Sequence, residues 1–227
     1  MRGYEVLFMG NNFARLLSGL WVTVRISLIS IAFSIVIGAV LGIVMTSKNA
    51  AVKAVCRVYL EIVRIMPQLV WLYIVFFGIT SLTGANIGGE TSAVIVFTIW
   101  GTAEMGDLVR GAFLAIPKHQ FESSSSLGLS KLQMYIYVIL PQAVRGLIPN
   151  VINLSTRMIK TTALVSLIGV TEVLKVGKQI IDANRFEYPN AAIWVYASIF
   201  FMYFLICFPL SMLSKALLKK QGGERNV

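Results

Sequence analysis

The sequence predicts an all-α integral membrane protein with five transmembrane helices and a cytoplasmic helix between spans three and four. Three observations carry that prediction. The 227 residues are 57% hydrophobic and only 13% charged, whereas a soluble domain is roughly 25% charged. The apolar residues fall into five runs close to the ~20 residues that a membrane helix needs. The basic residues cluster between those runs, and the net charge is +10. That pattern fits cytoplasmic loops held against anionic lipid better than a nucleic-acid surface. The mean hydropathy of +0.78 also excludes a disordered chain, which lacks apolar mass. Cys56 and Cys207 give neither a disulfide framework nor a metal-ligand spacing. The single histidine, His119, leaves little room for histidine-based metal or acid–base chemistry.

The first run, about 16–45, is uncharged from Ile26 onward. It is too long for the core of a cleavable signal peptide and reads as a retained span. Its Gly38 and Gly42 form a G-x-x-x-G pattern, which suggests close helix packing. The second run covers about 65–82. The third, about 91–116, contains Glu104, Asp107 and Arg110, and the fourth, about 151–170, contains Arg157 and Lys160. The fifth, about 191–214, carries no charge. No internal repeat or domain-sized soluble segment interrupts the series, so residues 1–227 read as one transmembrane domain.

Loop charge sets the expected orientation. One side carries Lys48, Lys53 and Arg57 in loop 47–58, Lys118, Lys131 and Arg145 before span four, and Lys215, Lys219, Lys220 and Arg225 in the tail. The other side carries Arg2, Arg15, Lys175, Lys178 and Arg185. Ten basic residues against five place the N-terminus outside and the C-terminus in the cytoplasm.

The segment from Ile116 to Asn150 is too apolar for a loop and too polar for a span. A short helix over 121–127 is expected to stop at Gly128, which is free to take positive φ. Ser130 and Gln133 fit a capping box that starts a second helix. Leu132, Ile136, Ile139 and Leu140 give that helix an apolar stripe, and Pro141 and Pro149 punctuate its approach to span four. Two readings follow: an amphipathic connector on the membrane surface, or a docking element for a cytoplasmic partner, with Phe121 as apolar anchor and Glu122 as the charge presented.

Glu122-Ser123-Ser124, Gly128 six residues after the Glu, and Val138-Ile139-Leu140-Pro141 together resemble the EAA loop of ABC importer permeases. Flanking residues are similar to the polar amino acid permease group: Arg64-Ile65-Met66-Pro67, Arg110-Gly111, Ala115-Ile116-Pro117-Lys118, Leu140-Pro141-Gln142-Ala143, and Lys160-Thr161-Thr162-Ala163-Leu164. The departures are Ser123 and Ser124 for two alanines, Val138 for isoleucine, Asp107 for glutamate and Thr161 for aspartate. The resemblance covers about 12–218. It implies a type I ABC importer permease in a bacterial inner membrane, moving an amino acid by alternating access. Phe121, Glu122, Ser123, Ser124, Leu127, Gly128 and Leu129 would then form the coupling helix for a separate ATPase dimer that binds ATP and Mg. A second permease copy or sibling, and an extracytoplasmic solute-binding protein, complete the implied partners. The chain has no G-x-x-x-x-G-K-S/T, so it cannot cradle nucleotide phosphates in that way. It is expected to hold no cofactor, metal or nucleic acid and to be no enzyme.

A charge near the bilayer centre costs roughly 2.5–3.5 kcal/mol on insertion scales, so the charges in spans three and four must pair or face a wet path. One reading is an ion-pair cluster that pins span three to span four. The other is a substrate pathway of Glu104, Asp107, Arg157, Lys160, Thr161 and Thr162, with acidic and basic faces for the ammonium and carboxylate of an amino acid. A stand-alone secondary transporter or channel is the alternative function, but its inverted repeats and broken helices are not seen in the sequence.

Overall fold

The computed structural model describes residues 3–85 and 87–224, with no strand among them. A short 3-10 turn, Gly3–Leu7, precedes α1 (Asn12–Val44). Then come α2 (Ala50–Ile65) and α3 (Gln68–Thr83), which contains one π turn at Ile74–Gly78. Next are α4 (Gly89–Leu114), α5 (Lys118–Ser126) and α6 (Lys131–Ile168). The chain ends with α7 (Val173–Asn184) and α8 (Ala191–Glu224). Helices α1, α4, α6 and α8 are long and apolar enough to cross a bilayer, and the bent pair α2–α3 makes a fifth candidate.

Two expectations are corrected here. Loop 47–58 is largely the amphipathic helix α2, whose Cys56 and Val63 are buried while its charged residues lie on another face. The expected second span therefore does not begin at Ile65. The chain breaks at Met66 because a residue before proline is forced out of the α region, and Pro67 takes the N-cap position of α3 with ψ 135°. Second, no surface helix ends before span four. Helix α6 runs from Lys131 through Pro141 and Pro149 to a terminal 3-10 turn, Thr162–Ile168. A proline ring normally clashes with the carbonyl four residues earlier. One π turn, Tyr135–Ile139, loosens the helix just before Pro141. The Gln142 amide donates to the Val138 carbonyl, and the Ser214 hydroxyl donates to the Pro149 carbonyl.

The chain divides into two compact units. The first comprises Met1–Ile31, Met66–Thr98 and Thr156–Pro209. Its core joins Val6, Leu16, Val173, Ile180, Val195 and Ile199. Gly19 lets α1 approach the backbone at Val173, where a Cβ would lie 2.9 Å from the Val173 Cα. The second unit comprises Ala32–Ile65, Ile99–Ser155 and Leu210–Val227. There the G-x-x-x-G of α1 packs on α4. A Cβ on Gly38 would lie 2.5 Å from the Met105 Cβ, and one on Gly42 would lie 2.7 Å from the Gly106 carbonyl oxygen. The small residues are needed because backbone faces side chain and backbone at van der Waals limit.

Gly42→Ala is expected to cost about 2 kcal/mol by overpacking, seen as a fall of roughly 6 °C in the detergent unfolding midpoint. Gly146→Ala, where no atom lies within 4 Å of the added Cβ, should leave the midpoint unchanged or raise it.

Candidate functional site

The first candidate is the segment around α5. Pro117 precedes it in an extended conformation (ψ 143°), and Gly128 ends it with φ +75°. The Leu129 amide donates to the Ser124 carbonyl and the Gly128 amide donates to the Ser125 carbonyl, closing the helix end as a Schellman motif. The expected capping box is present: the Gln133 amide donates to Ser130 Oγ, and the Ser130 amide donates to Gln133 Oε1. These two closures hold α5 and α6 at a fixed turn.

Within that turn Glu122, Ser123, Leu127 and Gly128 are exposed. Leu127 is 80% exposed, whereas Ser124 is 2% exposed and donates from Oγ to the Gln120 carbonyl. Leu129 is half-buried. The expectation that Phe121 is the outward apolar anchor needs correction. Its ring is half-buried and meets the Tyr135 ring edge-on at 6.3 Å, so it ties α5 to α6 and Leu127 takes the outward place. The Gln142 amide also donates to Gln120 Oε1 at 3.1 Å.

The second candidate is the charge network on α4. Arg64 of α2 places Nε 2.8 Å from Glu104 Oε1 and both Nη atoms 3.1 Å from Asp107 Oδ2. Arg110 reaches the other oxygen, Asp107 Oδ1, at 2.6 Å. Asp107 thus bridges two guanidinium groups. Arg64 was visible in the sequence only as part of a family element, so its pairing role was missed. Its signal was an arginine just before a span boundary, upstream of two acids that needed partners.

Thr156–Lys160 and the following threonines belong to the first unit, and Glu104 and Asp107 to the second. Arg157 and Lys160 are exposed. Thr161 and Thr162 donate to the Arg157 and Ile159 carbonyls of their own helix at 2.9 and 2.6 Å.

One carboxylate that the sequence analysis did not single out is buried. Glu172 is 0% exposed, and it caps α7 by accepting from the Leu174 and Lys175 amides at 2.9 and 2.8 Å. Thr23 of α1 donates to it at 3.4 Å. Burial raises the Glu172 pKa above its ordinary value of 4.5, although these donors pull the other way. An acidic residue directly before an apolar helical run is the signal that would have found this cap.

The described residues form an all-helical chain with four or five candidate spans and an exposed turn at α5, and the comparisons give its class: the membrane component of a transport system. The family described as binding-protein-dependent transport system inner membrane component matches residues 17–222, and the chain belongs to that family. Among its relatives, the "Probable amino-acid ABC transporter permease protein YckA" of Bacillus subtilis is 31% identical over 209 residues, covering 92% of this chain and 90% of that protein. The L-cystine transport system permease protein TcyB of the same organism is 29% identical over 194 residues, 86% of this chain and 81% of that one. A crystal structure of an amino acid ABC transporter with histidines superposes with TM-score 0.83 at 26% identity, covering 94% of this chain and 97% of that chain. An inward-facing methionine ABC transporter, MetNI, shares the fold with TM-score 0.67 at 20% identity, over 90% of this chain and 97% of that one. The expected type I ABC importer permease fold is therefore met.

Two outcomes test the geometry. In a double-mutant cycle, Arg64→Met and Glu104→Gln should couple by roughly 1 kcal/mol in detergent unfolding, since the pair is partly exposed. Glu172 binds a proton more tightly in the folded than in the unfolded state, so its ionisation destabilises the fold. Stability should fall as pH rises from about 4.5 through the raised folded pKa. Glu172→Gln should flatten that slope in thermal unfolding scans.

Proposed function

We propose that the chain is the permease subunit of an ATP-driven importer for an amino acid, coupled through α5 to an ATPase on a separate chain. The observation that carries this reading is the exposed turn of α5, with Glu122 and Leu127 outward and Gly128 closing it at the EAA-loop spacing. The relatives named for amino-acid and cystine transport support the substrate class. Phe121, Ser124 and Leu129 hold the turn in shape, while Glu122, Ser123, Leu127 and Gly128 meet the ATPase, which binds ATP and Mg. Positive-inside charge puts α5 and the C-terminus in the cytoplasm and the N-terminus outside. A solute-binding protein delivers substrate from outside, and a second permease, identical or sibling, completes the pathway. Glu104, Asp107, Arg157, Lys160, Thr161 and Thr162 are the pathway residues in this reading, with opposed charges for the two ends of an amino acid.

Glu122→Arg reverses the presented charge at an exposed site and leaves the core untouched. Membrane insertion should be normal, while ATP-driven uptake of radiolabelled amino acids into cells or proteoliposomes falls to background. Unchanged uptake by the inserted variant would remove the coupling role.

A further inference from the structure

A cleft of about 670 Å³ lies between the end of α1, α2 and the second half of α4. Its size is that of a ligand site. Arg64, Asp107 and Arg110 form the back wall, where their charges are engaged with one another and with Glu104. Lys53 and Arg57, one turn apart on α2, also line it. Lys53 forms no ion pair among the described residues, and Arg57 meets only the half-exposed Glu61 at 2.9 Å. Glu61 lines the cleft beside Arg57, and the rest of the lining is Met45, Thr46, Cys56, Leu60, Ile65 and Leu114, mostly apolar. On a different face α2 exposes Val55, Val58 and Ile62. A helix with one basic face and one exposed apolar face suits the membrane interface.

We propose that this cleft binds an anionic phospholipid, its phosphate at Lys53 and Arg57 and the start of an acyl chain along Met45, Leu60 and Leu114. The cleft combines cations for the phosphate with an apolar wall, which a soluble anion does not need. The side of the membrane follows from the orientation proposed above, which puts α2 at the cytoplasmic leaflet, where anionic lipid attracts basic residues. The back wall, which includes a pathway residue, supplies shape, and recognition belongs to the mouth.

The test is native mass spectrometry of the full chain, purified with whatever partners it retains, titrated with phosphatidylglycerol, phosphatidylcholine of the same chains, or inorganic phosphate. Phosphatidylglycerol adducts should outlast phosphatidylcholine adducts. In the double variant Lys53→Ala, Arg57→Ala the phosphatidylglycerol affinity should drop roughly thirtyfold. Lys215→Ala, a change of an exposed lysine in α8, should leave it unchanged. Equal phosphatidylglycerol binding by wild type and double variant would overturn the proposal. So would equal binding of the two lipids. Saturation by phosphate alone would make the site one for a free anion. Thermal unfolding of the double variant at the wild-type midpoint shows that the loss is not unfolding. Retention of an ATPase chain reports on the transport reading independently, so either can fail without the other.

Discussion

A guanidinium group placed among apolar helices must bring its counter-charge with it. Arg64 does so by gripping Glu104 and Asp107 together, and Arg110 takes the remaining oxygen of Asp107. This pairing fixes the end of α2 against α4. It also lets α4 combine two acids and an arginine with a span that is otherwise apolar enough for a bilayer. Without the α2 arginine, two carboxylates three residues apart would repel on one helix face. The contact beside it, where Gly38 and Gly42 bring α1 onto α4, has the opposite chemistry: no charge, only glycine backbone against the Met105 and Val109 side chains and the α4 backbone. In a medium that gives helices no hydrophobic reason to associate, such close approach and charge pairing do the holding.

The same shortage of solvent governs the prolines. Pro149 and Pro209 sit inside long helices, and Pro141 follows a π turn. Each removes an amide donor in surroundings with little water to replace it. The Ser214 and Gln142 side chains bond carbonyls near two of these sites. A polar side chain in a span thus serves the backbone first, as Thr161 and Thr162 also show by bonding to their own helix.

Much of the fold was legible because long apolar runs have one reading. Helices α1, α4 and α8 cover the runs expected near 16–45, 91–116 and 191–214. The turn after α5 was legible for another reason: Gly128 and the Ser130–Gln133 box are local signals, and local geometry obeyed them. What stayed hidden depended on partners far along the chain. Lys53 and Arg57 made the first half of α2 look like a loop, because their charged face is explained only by the cleft it lines. Glu172 drew no notice because its burial depends on α7 and on Thr23 of α1, far back along the chain. Phe121 looked outward-facing because Tyr135, the ring that receives it, lies fourteen residues on. Proline misled in the other direction: Pro141 and Pro149 signalled breaks, yet α6 runs through both, with a π turn just before Pro141.

The unbroken course of α6 has a mechanical consequence. Helix α5 is clasped to it by the Phe121–Tyr135 rings and the Gln120–Gln142 bond. A push on α5 would therefore enter a helix that continues to Ile168 without an intervening loop. Between the two clasp points lies the π turn at Tyr135–Ile139, and Pro141 and Pro149 follow it. Relaxing that turn to regular helix shifts the register by one residue, about 1.5 Å along the axis and near 100° about it. A small thrust at the surface is thus geared into both travel and rotation of the buried helix.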